Sequence, residues 1–141
     1  LQKGAYRAIE ENLNNVYFLR ARADQITELF GAASLSQLWL TFADPFPKRR
    51  SSGRRMTHPN FLKKYQAVLR PGGEFYVKHD NLDFFTWSLE QLVNQRWKID
   101  ELSFDLHDSD LDDDYKIYTT YEQRWLSEGR IVSLVRATSR D

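Results

Sequence analysis

"THPNFLKKYQAVLRPGGEFYVKHDN", residues 57–81, holds a helix, a break and a strand in direct succession. Phe61, Leu62, Tyr65, Val68 and Leu69 recur at helical spacing, with Thr57 placed to cap the helix and Pro59 tolerated in its first turn. "RPGG" (70–73) should end that helix, and "EFYVKHD" (74–80) alternates as a strand does. The strand closes on an acid, Asp80.

Working outward, residues 82–95 give another amphipathic helix, with Phe85, Leu89, Leu92 and Val93 on one face. "WKIDELSFDLH" (97–107) and "RIVSLVRAT" (130–138) read as strands, separated by an acidic loop and a short helix near 120–128. Upstream, "LSQLWLTF" (35–42) and "VYFLRA" (16–21) are strand-like, and Leu1, Ala5, Ile9 and Leu13 mark a helix. Strands alternating with helices imply an α/β fold whose sheet is largely parallel and ends in an antiparallel pair. No interior boundary divides residues 1–141, so a single domain is expected.

The chain has no cysteine, which excludes disulfides, a thiolate nucleophile and a cysteine zinc site. His58, His79 and His107 lack metal-ligand spacing, so no metal is expected. No apolar run approaches the roughly 18 residues of a membrane span, and no signal-peptide core precedes the first helix, which implies a soluble, cytoplasmic protein. The net charge of zero conceals two patches of opposite sign. Lys48, Arg49, Arg50, Arg54 and Arg55 fall within eight residues, and six acids crowd "DLHDSDLDDD" (105–114). A dense basic patch binds phosphate through counterion release; the plainer reading is a solvated loop.

The basic patch follows "FADPFP" (42–47). In open α/β sheets ligands bind beyond the carboxyl ends of strands, so Asp44 and Asp80 would face one crevice if their strands are parallel neighbours. Either acid could instead cap the next helix, the better reading for Asp80 alone. Pro45 and Pro47 stiffen the turn around Asp44, while Phe42 and Phe46 supply aromatic faces. Such a pocket suits a planar base: rings stack on it, and a carboxylate accepts from the N1 and N2 donors of guanine. The cations downstream would then hold an RNA backbone. Farther on, "TTYEQRWLSEG" (119–129) contains a capping box, Thr119 with Glu122, and a stop at Gly129.

"DPFPK" (44–48), "RR" (54–55), "LRPGGEFYVKHDN" (69–81), "FDLHDSD" (104–110) and "TTYEQRW" (119–125), in this order along essentially the whole chain, resemble the bacterial tRNA (guanine-N7)-methyltransferases. That resemblance implies a Rossmann-like class I methyltransferase sheet, S-adenosylmethionine as methyl donor, and the variable-loop guanine of tRNA, position 46, as substrate. Asp44 matches the family's active-site acid, beside both methyl donor and target base. Lys48 and Asp80 match substrate-binding positions, Thr119, Thr120, Tyr121 and Glu122 match the terminal substrate-binding motif, and residues 50–55, beside Arg49, match the RNA-contacting segment.

The chain departs from the family pattern in three ways. Phe46 stands where Trp is common, which keeps a stacking face. Arg22 falls where an acid usually recognises the cofactor adenine, leaving Asp24, two residues on, as the candidate contact. None of the six glycines builds the G-x-G loop of the cofactor site, and "LQK" (1–3) resembles the segment after the family's second strand. The expectation is an N-terminally incomplete domain, the C-terminal two-thirds of the enzyme, which by itself binds S-adenosylmethionine poorly and lacks activity. A non-catalytic tRNA-binding relative and a Rossmann-type nucleotide oxidoreductase are the alternatives. The oligomeric state stays open between monomer and homodimer.

Overall fold

A computed structural model describes residues 2–118 and 120–139, the side chains of Thr120, Tyr121 and Trp125 excepted. The helix of the 57–81 stretch, Pro59–Val68, is α3 of the chain. Its buried side is Leu62, Tyr65 and Val68. The cap differs from expectation: His58 Nδ1 accepts from the Asn60 amide at 3.1 Å. Pro59 at the first helical position leaves His58 extended and one residue nearer the helix start than Thr57, while the Thr57 hydroxyl is fully buried and bonds Ser88 at 2.7 Å.

Strand β2 (Leu69–His79) begins at the residue after α3, earlier than the "RPGG" break suggests. It pairs in parallel with β1 (Leu35–Thr41): Leu35 opposes Leu69, and Gln37 opposes Glu74. The extra residues between bulge out, and glycine is required there twice. Gly72 sits at φ +76°, and a Cβ on Gly73 would come within 2.8 Å of the Arg70 carbonyl. Helix α4 (Leu82–Asn94) follows, capped by Asn81, whose Oδ1 accepts from the Phe84 amide at 2.9 Å.

Strand β3 is Trp97–Ser103 and β4 is Ser133–Ser139. The sheet order is β1-β2-β4-β3, with β4 antiparallel to both of its neighbours. Three strands therefore run one way, and the last in sequence is inserted against them. The result is a mixed, open α/β sheet, mostly parallel in direction.

Alternation along the strands gives the sheet two chemically different faces. On one, Leu40, Phe75, Val77, Val135 and Ala137 pack under Leu62 and Tyr65 of α3 and Phe84, Phe85 and Leu92 of α4. On the other, Tyr76 and Leu134 meet Leu106 and Val132, with Phe42, Leu111 and Tyr115 alongside. The acidic segment thus supplies part of the cover of the second face.

Three expectations fail. Residues 16–21 form no strand, because no described strand lies beside them to complete a hydrogen-bond ladder; Tyr17 is 91% exposed. Helix α1 (Gln2–Glu10) forms, but of the expected stripe Ile9 is 72% exposed and Leu13 is exposed too; the buried residue of the helix is Ala8, and Gly4 lies against the Phe18 ring. Val93 is 60% exposed, because the buried side of α4 is Phe84, Phe85, Ser88 and Leu92 and Val93 falls outside it. A short helix α2 (Ile26–Leu29) precedes β1, and α5 (Thr120–Ser127) ends as expected at Gly129, φ +81°. Among the described residues no helix is long and apolar enough to cross a membrane.

Candidate active site

Because β1 and β2 are adjacent and parallel, Asp44 and Asp80 emerge from the same end of the sheet. The turn after β1 starts with Phe42, whose amide bonds the Lys78 carbonyl at 2.9 Å. Phe42 and Phe46 both take left-handed backbone conformations, φ 52° and 40°, bracketing Asp44. Such φ values are unfavourable for aromatic residues and persist where surrounding bonds over-determine them. The bonds are present: Asp44 Oδ1 accepts from the Phe46 amide at 3.0 Å, and Arg55 donates Nε and Nη2 to the Phe46 carbonyl at 3.1 and 3.0 Å. Asp44 is exposed, and its second oxygen has no partner among the described residues.

His79, at the end of β2, joins the two acids. Its Nε2 donates to the Ala43 carbonyl at 2.6 Å and its Nδ1 accepts from the Asn81 amide at 2.9 Å, which fixes a neutral ring protonated at Nε2. Burial holds His79 below the usual imidazole value, against the opposing pull of the Ala43 carbonyl, Asp80 and Asp44. The 3.4 Å approach of Nδ1 to Asp80 is therefore a contact with a neutral ring. Asp80 does not cap α4, a task Asn81 performs; its Oδ2 receives Arg130 Nη1 at 3.0 Å.

Behind β2 lies a buried ionic cluster. Lys78 Nζ spends its three donors on Glu122 Oε1 at 2.9 Å and on the carbonyls of Tyr115 and Ile117, each at 3.0 Å. Glu122 Oε2 accepts from His107 Nε2 at 2.8 Å, and the His107 ring stacks on Tyr118. Glu122 is wholly buried, so it backs the site and has no open surface toward the crevice. Its expected capping partner, Thr119, lies outside the described residues, as do the side chains of Thr120 and Tyr121.

Lys48, Arg49, Arg50 and Arg54 are exposed and carry no side-chain partner among the described residues. Arg55 is different: it is half-buried, and its guanidinium lies 4.7 Å from the centre of the Trp87 ring. A cavity of about 570 Å³ opens here, lined by Pro45, Pro47, Arg49, Arg55 and Trp87 among others. Asp24 stands apart from this cluster. Arg22 holds both of its oxygens in a fork, which lowers the carboxyl below its usual range, and its carbonyl accepts from Lys64 of α3.

The sequence reading assigned no role to His79, Lys78, His107, Trp87 or Arg130. The available signal was "VKHD" (77–80), two polar residues inside a strand whose neighbours are apolar. Among the described residues no group of three or more His, Asp or Glu gathers to hold a metal.

Residues 2–134 match a protein family described as "Putative methyltransferase". The chain is 34% identical to the tRNA (guanine-N(7)-)-methyltransferase of Macrococcus caseolyticus, over 93% of this chain and 61% of that protein. It is 38% identical to that of Brevibacillus brevis, over 98% and 62%, and 36% identical to that of Clostridioides difficile, over 100% and 65%. The chain thus spans a little over three-fifths of these curated relatives. Its fold resembles a SAM-dependent O-methyltransferase of Thermotoga maritima (TM-score 0.52, 15% identity, 98% of this chain and 45% of that one). It also resembles a "putative methyltransferase" of Bacillus halodurans (TM-score 0.54, 17% identity, 99% and 78%).

Proposed function

The chain belongs to the family described as "Putative methyltransferase", and from that premise we propose that it is part of a tRNA (guanine-N7)-methyltransferase that uses S-adenosylmethionine. The observation that carries the proposal is the pairing of a rigid, half-free carboxylate with a row of unpartnered cations. Asp44 sits at the open end of two parallel strands, and Lys48, Arg49, Arg50 and Arg54 follow it with nothing in the described chain to neutralise them.

The residues divide the work by what each has free. Arg49, Arg50 and Arg54 would take tRNA phosphates, which position the substrate without reading it. Lys48, nearest the turn, would meet the nucleotide being modified. Asp80 accepts hydrogen bonds only, and guanine N1 and N2 offer donors to it, with Arg130 fixing its orientation. Thr119, Thr120 and Tyr121 are proposed to complete that pocket. Glu122 supports it from behind by holding Lys78 and, through it, the carbonyls of residues 115 and 117.

When bound, S-adenosylmethionine supplies a methyl group on a sulfonium. Guanine N7 already carries a lone pair, so accepting that methyl group, with the S–C pair leaving on sulfur, would require no proton to be removed first. Positioning is then the main task of the chain, and Asp44 meets the positive charge that develops on the purine. Its free oxygen fits a cationic donor or product ring. Asp24 would contact the cofactor only by sharing or displacing its exposed ion pair with Arg22. As a tRNA-modifying enzyme the protein would work in the cytoplasm.

Methyl transfer from labelled S-adenosylmethionine to tRNA transcripts, using the protein at its natural length, tests this. Incorporation should require the variable-loop guanine, and Asp44→Asn should lower it at least about a hundredfold, as loss of one preorganised electrostatic group does. Full transfer by Asp44→Asn, or tRNA binding with no transfer at all, would defeat the proposal.

A further inference from the structure

Five cations within residues 48–55 look alike in the sequence, yet four are exposed and without a partner among the described residues, while Arg55 is half-buried and engaged twice. We infer that Arg55 is a positioning residue: together with Trp87 it clamps the turn that presents Asp44, and it does not serve as a phosphate contact. The role assigned to that turn rests on the tRNA-methyltransferase reading; the clamp itself does not.

The turn is pinned at both ends. At one, His79 Nε2 donates to the Ala43 carbonyl; at the other, two guanidinium N–H groups of Arg55 converge on the Phe46 carbonyl. Between these points Asp44 bonds the Phe46 amide, at a residue whose φ of 40° would relax without support. Charge-assisted bonds are about twice as strong as neutral ones, so Arg55 can hold that conformation where a neutral donor would yield. The guanidinium carbon lies over the ring of Trp87 in α4, 4.7 Å from its centre, and α4 is the helix that begins immediately after Asp80 and Asn81. A planar, stacked cation thereby links the Asp44 turn to the Asp80 helix. Lysine, a compact ammonium without a plane, cannot both fork onto a carbonyl and stack on an indole.

The test compares Arg55→Lys and Trp87→Phe with Arg54→Lys and Arg54→Ala in the natural-length protein, by hydrogen exchange and by tRNA binding across a salt series. Arg55→Lys should speed exchange of the Phe46 amide, the hydrogen-bonded N–H of a turn whose positions 45 and 47 are prolines, by about tenfold, a local opening, with Trp87→Phe intermediate and Arg54→Lys unchanged. Arg54→Ala should reduce the slope of log affinity against log salt by about one, while Arg55→Lys leaves that slope as it is. Arg55→Lys should also lower kcat by about tenfold or more with KM for tRNA little changed, the sign of an interaction felt at the reacting geometry. Unchanged exchange at the Phe46 amide, or a salt slope in Arg55→Lys reduced as in Arg54→Ala, overturns the inference. If the unaltered protein binds no tRNA, the functional reading fails, and the exchange result alone decides the clamp. Should Arg55→Lys not fold, Trp87→Phe, which keeps a ring in place, carries the same exchange measurement.

Discussion

The two faces of the sheet are built from different materials. Under α3 and α4 the packing is apolar and aromatic, with Phe75 against Tyr65 and Trp97, and Phe85 against Phe104. The opposite face buries charge: Lys78 with Glu122 and His107, and nearer the other end of the strands Arg136 between Glu74 and Glu101. Trp39 stacked on Tyr76 at 4.0 Å is the aromatic island between these clusters. Apolar contact is non-directional and holds the fold together; paired charges are directional and fix where a loop or helix end must sit. The face that carries α5 and the acidic segment is the one where placement matters to the site.

Truncation should separate the faces most sharply. Phe85→Ala, deep under α4, should cost about 3–5 kcal/mol in denaturant unfolding, as core Phe deletions do. Lys78→Met should cost about 3 kcal/mol because it leaves the buried Glu122 carboxylate with His107 alone, whereas the double variant Lys78→Met/Glu122→Leu should recover part of that stability, the remainder being the partners that His107 Nε2 and the carbonyls of Tyr115 and Ile117 lose. No comparable rescue is open to Phe85→Ala. A double variant as unstable as Lys78→Met would mean that the second face is held by something other than its ion pair. If the tRNA-methyltransferase reading holds, the double variant should be more stable than Lys78→Met yet poorly active, since the loop carbonyls of Tyr115 and Ile117 lose their anchor.

His79 lies where the two faces meet the site, its ring 4.6 Å from that of Phe84 and its polar atoms on the Ala43 and Asn81 backbone. Its folded value is depressed by burial, so as pH falls the unfolded chain takes the proton first. The stability from the neutral ring is therefore complete above about pH 6.5 and is lost as the pH drops below it. Urea midpoints measured from pH 7.5 to 5.5 should fall more steeply for the parent than for His79→Gln. The exposed Arg7–Glu11 pair of α1, on neither face, is the small reference: Glu11→Gln should cost no more than about 0.5 kcal/mol and less in salt.

Much of this was legible in the residues. The periodicities of 61–69 and 82–92 and the alternation at 74–79 specify α3, α4 and β2, because each element satisfies its own backbone or has an apolar face to bury. The stretch at 16–21 carries the same composition as a strand and is not one, since a strand is completed by its neighbour and composition cannot supply a neighbour. The capping choice between Thr57 and His58 likewise turned on Ser88, thirty-one residues away from Thr57.

At the site, the sequence by itself determined which chemistry was present: the acids at 44 and 80, the stiffened turn between Phe42 and Phe46, the cations after it, and the ordered motifs that announced the family. Charge and residue type are local properties and need no fold to be read. Only the tertiary structure decided how those groups are spent. It left Lys48, Arg49, Arg50 and Arg54 without a partner among the described residues, committed Arg55 to Phe46 and Trp87, paired Asp24 with Arg22, and sealed Glu122 behind Lys78. The reason is physical: a charged side chain's role follows from the partners within about 4 Å of it, and most of those partners come from elsewhere in the chain.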